Sequence, residues 1–300
     1  MSKHILLATD DPGVGGVAQY NHSIMCALAR LGYQVTCRHP APYNNNLITA
    51  QNQLGIQHLW IESNNVEEAH HTLINLSPKP DLIICSNSHP FSNLTIKQIA
   101  IQLEIPYITV EGLVDPHLAE RFRGYLNDLS LHYNQAKSVI AVSYENLSLL
   151  QELFKLPRNM GEVIYYGRPS EYFTVRDLSI CKSLRQELSI PLDAVVCFTA
   201  ARIETRKGYQ YQLEAIKQLM QSPVWSKIYF LWAGGGIFDP QLERQSQEVV
   251  KELGITDKVK FLGQRSDVSD WLNSADIFIL PSQLEGMPLS VMRQWQRDYQ

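Results

Sequence analysis

The sequence predicts an α/β chain built as two doubly wound parallel sheets, and three observations carry that prediction. Short apolar runs alternate with amphipathic stretches along the chain, the pattern of strands laid down through crossover helices. The alternation restarts near Ala194 after a polar segment. Several runs end in loops holding glycines and charged residues, where open parallel sheets bind ligands.

In the first half, strands are expected at Ile5 to Thr9, Gln34 to Cys37, His58 to Ile61, Leu82 to Cys85, Tyr107 to Val110 and Ser138 to Val142. Val17, Ile24, Leu28 and Leu31 fall on one face of a helix that should stop near Gly32. Leu147, Leu150 and Phe154 do the same in a helix from Tyr144 to Lys155. The polar stretch holding Arg168-Pro169, Glu171-Tyr172-Phe173 and Pro191 marks a boundary, so the expected division is 1–167, an interdomain segment 168–193, and 194–300. The second alternation opens with the buried-strand run Ala194 to Ala200, and a later apolar run spans Asp276 to Leu280.

The 300 residues suit two domains, and a hydrophobic content of 45% is ample for two cores. The formal net charge is −4, with no basic run able to track a phosphate backbone, so nucleic acid is excluded as an expected partner. The N-terminal apolar stretch is too short for a leader or a span, so a cytoplasmic location is expected, with membrane contact at most peripheral. Cys26, Cys37, Cys85, Cys181 and Cys197 are scattered without metal-ligand spacing and read as buried free thiols of a reducing compartment.

Two loops carry the most chemistry. Arg202 and Lys207-Gly208 follow the Ala194–Ala200 run, and Pro281-Ser282-Gln283-Leu284-Glu285-Gly286-Met287-Pro288-Leu289 follows the last one. Arginine offers a planar fork and lysine a mobile point charge, and a helix opening at Pro288 would aim free N–H groups at an anion. Together they describe a diphosphate site. No Asp-x-Asp pair occurs in the chain, so metal ligands of that kind are lacking, and neither a metal nor a cofactor is expected.

With the turn Ala233-Gly234-Gly235-Gly236, these segments resemble the retaining glycosyltransferases of the two-Rossmann-domain (GT-B) type, a group that includes glycogen synthases and bacterial mannosyl- and glucosyltransferases of lipid and polysaccharide assembly. The resemblance implies two Rossmann-like domains facing across a cleft, with a nucleoside diphosphate sugar as donor. A hexose would pass with retention to a carbohydrate, lipid-linked or small-molecule acceptor. Arg202 and Lys207 would stabilise the leaving diphosphate, and Glu285 would bond the sugar hydroxyls. The backbones of Gly234, Gly235, Gly286, Met287 and Leu289 would lie near the donor. Glu285 also suits a carboxylate capping the following helix, and both roles can hold at once.

In the first half, Asp10-Asp11-Pro12-Gly13-Val14-Gly15-Gly16 joins the first strand to the first helix. It resembles the family's Gly-Gly loop, so Gly15 and Gly16 are donor-side candidates. A dinucleotide fingerprint is the weaker reading, because the third glycine and the acidic residue after the second strand are missing. His89, in the loop after Cys85, and Glu111, where many relatives carry His, are acceptor-side candidates. Arg121 and Arg123 read as a solvated face. The family's second Glu, eight positions after the first, is replaced by Arg293, and the resemblance ends at Met292. The second domain is therefore expected to be incomplete, which leaves a catalytically inactive remnant or an interaction protein as the alternative to an enzyme.

Overall fold

The computed structural model describes residues 2–11, 13, 15–41, 46–61, 66–167 and 177–291. The chain divides into two compact units after Gly167. Each is a parallel, Rossmann-like sheet with helices on its faces.

The first unit has seven strands: β1 His4–Thr9, β2 Gln34–His39, β3 Gln57–Trp60, β4 Leu82–Asn87, β5 Tyr107–Glu111, β6 Ser138–Ala141 and β7 Glu162–Val163. They lie in the order β3-β2-β1-β4-β5-β6-β7, and every pair is parallel. The helices are α1 Gly16–Arg30, α2 Asn46–Gln53, α3 Val66–Asn75, α4 Leu94–Gln102, α5 Pro116–Arg121, α6 Leu126–Gln135 and α7 Tyr144–Leu153. β1 and β4 are buried almost end to end, as strands covered on both faces must be. The six expected strands form, β2 and β4 running two residues further than read, and the short edge strand β7 is added.

The buried face of α1 is not the expected one. Ala18, Asn21, Met25 and Cys26 are buried, whereas Leu31, the residue after the helix, is 75% exposed. In α7 the expected face holds: Leu150 and Phe154 are fully buried in the main core, with Leu147 packed against it.

The second unit comprises α8 Leu178–Glu187, β8 Val195–Ala200, α9 Tyr209–Leu219, β9 Ile228–Ala233, α10 Pro240–Glu252, β10 Val259–Gly263, α11 Val268–Ser274 and β11 Ile277–Phe278. Its strand order is β10-β9-β8-β11. One core joins Leu184 of α8 and Trp271 of α11 to the sheet; on α9 and α10, Tyr209, Leu213, Ile216 and Val250 build the other. The 168–193 segment is thus not wholly a connector. The side chain of Asp177 caps α8, and Arg185, buried, bonds Ala194 O at 2.7 Å, Ser274 O at 3.1 Å and Asp276 Oδ2 at 2.7 Å, fixing α8 to the second sheet. The Asp276–Leu280 run supplies only a two-residue strand, since only Ile277 and Phe278 enter the ladder with β8.

Both sheets reverse their strand order once, between β1 and β4 and between β8 and β11. Loops leaving the carboxyl ends of such neighbours diverge to opposite faces and leave a crevice. In the first unit these loops hold Gly15 and His89; in the second they hold Arg202, Lys207 and Glu285.

Candidate functional site

In the second unit the two loops at the reversal are bound to each other. Gly208 adopts φ 77°, and a Cβ there would stand 2.2 Å from the carbonyl oxygen of Pro281. Only glycine allows that approach and that dihedral. The amide of Gln283 donates to Arg206 O at 2.9 Å, and Arg206 Nη1 donates to Leu284 O at 2.6 Å. Glu285 is thereby held over Lys207.

The charged side chains form a continuous alternation. Lys207 Nζ lies 2.5 Å from Glu285 Oε1, and Glu285 Oε2 is 3.7 Å from Arg206 Nη1. Arg206 Nη2 is 2.7 Å from Glu204 Oε1, which Arg202 Nη2 reaches at 3.4 Å. Three cations meet two carboxylates, leaving one positive charge in excess. Lys207 and Glu285 are mostly buried, with side chains 12% and 21% exposed. Burial lowers the Lys207 ammonium below the ordinary lysine value of 10.5, and the Glu285 carboxylate opposes that shift. Arg202 stacks its guanidinium 4.9 Å from the ring centre of Phe238, which orients the fork. The hydroxyl of Ser282, in the same loop as Glu285, is buried without a hydrogen-bond partner.

Arg202, Lys207 and Glu285 are therefore brought together. Glu204 and Arg206, the links between them, were not singled out by sequence reasoning, although both lie between Arg202 and Lys207 in the chain. Gly234 closes the loop after β9: its φ is 142°, and a Cβ would stand 1.8 Å from Ala201 O. Gly235 has open space around its missing Cβ, so the fold itself does not demand glycine there. Leu289 is buried, and Gly286 and Met287 are half-buried. At Pro288 the described residues show a turn, with Val291 N bonded to Pro288 O at 3.0 Å; the rest of the expected helix and Arg293 lie outside them.

In the first unit, Gly15 is the N-cap of α1 at φ 102°, and Gly16 opens the helix. A cavity of about 230 Å³ lies at the reversal, lined by Asp10, Arg38, His89, Ser92, Asn93 and Thr95 among others. Asp10 accepts from Ser88 N at 3.0 Å and Ser92 Oγ at 2.7 Å, which shapes the loop that carries His89. Burial lowers the imidazole of His89 against the pull of Asp10. Its Nδ1 is buried without a partner.

Glu111 departs from its expected placing. It is fully buried, and Oε1 accepts from Asn87 Nδ2 at 3.0 Å and from the Tyr133 hydroxyl at 3.1 Å. Burial raises its carboxyl, while the ammonium of Lys97, itself fully buried, pulls it back down. A carboxylate enclosed in this way braces β4 against β5 and α6 and is not presented to an acceptor. Arg123 pairs with Glu120 at 3.2 Å with both side chains exposed, a solvated face as read.

Residues 182–292 match the family model described as glycosyl transferases group 1. Among curated proteins the chain is similar to a putative teichuronic acid biosynthesis glycosyltransferase, TuaC, of Bacillus subtilis: 28% identical over 217 residues, 71% of this chain and 50% of that protein. It is also similar to mannosylfructose-phosphate synthase of Agrobacterium fabrum, 30% identical over 159 residues, 51% of this chain and 34% of that one. The chain thus spans half or less of these relatives' length. Among solved structures, Anabaena HepE in complex with UDP and glucose superposes with a TM-score of 0.78 at 19% identity, covering 98% of this chain and 78% of that one. The fold is of the GT-B type. No helix among the described residues is long and apolar enough to cross a membrane.

Proposed function

We propose that the protein is a cytoplasmic glycosyltransferase that moves a hexose from a nucleoside diphosphate sugar to a hydroxyl acceptor with retention at the anomeric carbon, without a metal. The observation that carries this reading is the Arg202–Glu204–Arg206–Glu285–Lys207 alternation at the strand-order reversal of a group 1 glycosyl transferase domain. Breaking the bond from the anomeric carbon to the diphosphate oxygen puts charge on the leaving group. Lys207 and Arg202 would take that charge as fixed donors in a partly dehydrated setting, where such preorganised stabilisation is strongest. Glu285 would exchange part of its pairing with Lys207 for the sugar hydroxyls.

Retention implies that the acceptor oxygen bonds the same face of the anomeric carbon as the diphosphate leaves, and that the acceptor proton passes to the departing diphosphate oxygen. No side-chain base is then required, consistent with Glu111 being enclosed. The first unit would supply acceptor recognition through the cavity beside Asp10 and His89. The similarities to a teichuronic acid glycosyltransferase and to a sugar phosphate synthase support carbohydrate or phosphorylated sugar acceptors.

The test is titration calorimetry of the full chain with UDP, ADP and GDP and their glucose and mannose esters, with and without chelator. Binding of at least one nucleotide, unchanged by chelation and weakened in Lys207→Ala, is the expected result. Strict dependence on added magnesium would overturn the metal-free part, and the anomeric configuration of the product by NMR decides retention.

A further inference from the structure

A second cluster of ligand-type side chains lies in the first unit, on the sheet edge formed by β2 and β3. Cys37 and His39 are alternate residues of β2 and so share a face, and His58 is the register partner of Cys37 on β3. One donor atom from each lies within 4.8 Å of the other two. Nε2 of His39 stands 3.0 Å from Nδ1 of His58. Cys37 and His39 are buried and His58 is half-buried, so the group is enclosed on one side and reachable on the other.

Two further observations point to a ligand. Cys37 and His39, with Asn21 of α1 and Gln51 of α2, line a cavity of about 30 Å³, room for a single water. His58 Nε2, Asn21 Oδ1 and Gln51 Oε1 are buried with no hydrogen-bond partner. Buried polar atoms are normally satisfied, and three orphans, two of them on cavity-lining residues and the third on His58 beside Cys37 and His39, mark a place where a polar partner belongs. The ring of Trp60 lies 4.1 Å from His39 and 5.4 Å from His58 between centroids, shielding the imidazoles.

We propose that Cys37, His39 and His58 form a binding site for a divalent transition metal ion, zinc by the softness of the donor set, with water in the adjoining cavity completing a tetrahedron. One thiolate and two imidazoles match zinc and not magnesium or calcium, which take oxygen. Tetrahedral zinc, with bonds of about 2.0 Å to nitrogen and 2.3 Å to sulfur, needs its donors about 3.3–3.6 Å apart, so small rotations of the three side chains suffice. The ion replaces the proton of the Cys37 thiol, which burial otherwise pushes up to about 12, and one proton is released per ion bound. The N–H proton between His39 Nε2 and His58 Nδ1 moves to the other nitrogen of the ring that carries it, so both imidazoles bind in their neutral form and only the thiol proton leaves. The site ties the edge strand β3 to β2 and is independent of the donor-site reading, since all its residues lie in the first unit.

The experiment is a cobalt(II) titration of the metal-free, reduced full chain, followed by displacement with zinc and thermal melts with and without zinc. The expected result is a near-ultraviolet thiolate-to-cobalt charge-transfer band with intense visible tetrahedral bands, saturating at one ion per chain, and a zinc-dependent rise in melting temperature. Cys37→Ser should lose the charge-transfer band. His58→Asn, at the half-exposed position, should weaken affinity by more than about tenfold, the loss that outer-shell changes alone already produce. If Cys37→Ser does not fold, His58→Asn carries the test. Absence of the thiolate band in the wild-type chain, or equal affinity in wild type and His58→Asn, would overturn the proposal.

Discussion

The two units solve the same problem of placing charge near a strand-order reversal, and they solve it in opposite ways. In the first, Lys97 and Glu111 are both fully buried, and Glu111 is bonded to Asn87 and Tyr133. In the second, Lys207 and Glu285 touch at 2.5 Å but keep 12% and 21% of their side chains in solvent. A carboxylate fully withdrawn from water is committed to the donors that bond it, because any rearrangement leaves a bare charge in a poor solvent. An ion that keeps some contact with water can change partners, and such a pair can admit a ligand. Depth, and not charge content, separates the brace from the site.

The comparison breaks first on stability. Glu111→Leu should cost about 2 kcal/mol in urea unfolding, because Asn87 and Tyr133 lose a buried acceptor, whereas Lys207→Met should cost less, because Glu285 keeps Arg206 at 3.7 Å. Equal losses would erase the distinction.

A titration of donor nucleotide sharpens it. Lys207→Ala should weaken binding by about 2 kcal/mol and Arg202→Ala by less, as expected for charge-assisted hydrogen bonds of which the lysine's is the deeper; Lys97 variants that remain folded should bind as the wild type does.

Two adjacent glycines give a smaller, cleaner contrast. Gly234→Ala should destabilise by about 2 kcal/mol, because its Cβ meets Ala201 O at 1.8 Å in a backbone conformation side chains avoid. Gly235→Ala should leave the melt unchanged, having open space, and lower only donor affinity. A destabilised Gly235→Ala would show that the turn, and not a ligand, demands that glycine.

The smallest effect is on pH. The lowered Lys207 value means that the free protein loses this cation at a pH below the ordinary 10.5. Since the ammonium is the form that binds a diphosphate, donor affinity should fall as pH rises through that lowered value, with proton uptake on binding in the same window. Lys207→Arg keeps its charge there, so it should abolish the fall. Calorimetry in buffers of different ionisation enthalpy measures the uptake directly.

Much of this was legible in the sequence, and the failures share a cause. The strands and the Lys207 and Glu285 loops follow from local pattern, since an apolar run ending in glycine and charge is written in consecutive residues. Glu111 was misplaced because its environment comes from Asn87 and Tyr133 on other elements. The two-residue β11 and the rotated face of α1 likewise depend on which neighbours are present to pair or pack. Cys37, His39 and His58 lack any linear metal-ligand spacing and become a cluster only through the β2–β3 register. Linear patterns report what a segment can bury; they do not report what it will face.

The missing side chain of Gly208 reaches further than the turn it permits. Because the Pro281 carbonyl sits where a Cβ would be, and because Gln283 N and Arg206 Nη1 fasten the same two loops, neither loop can shift without dragging the other. A donor bound to Lys207 as proposed would therefore tug the Gln283 amide, a group with no charge to contribute. The hydrogen–deuterium exchange rate of that amide would then gauge occupancy without a labelled ligand or an acceptor.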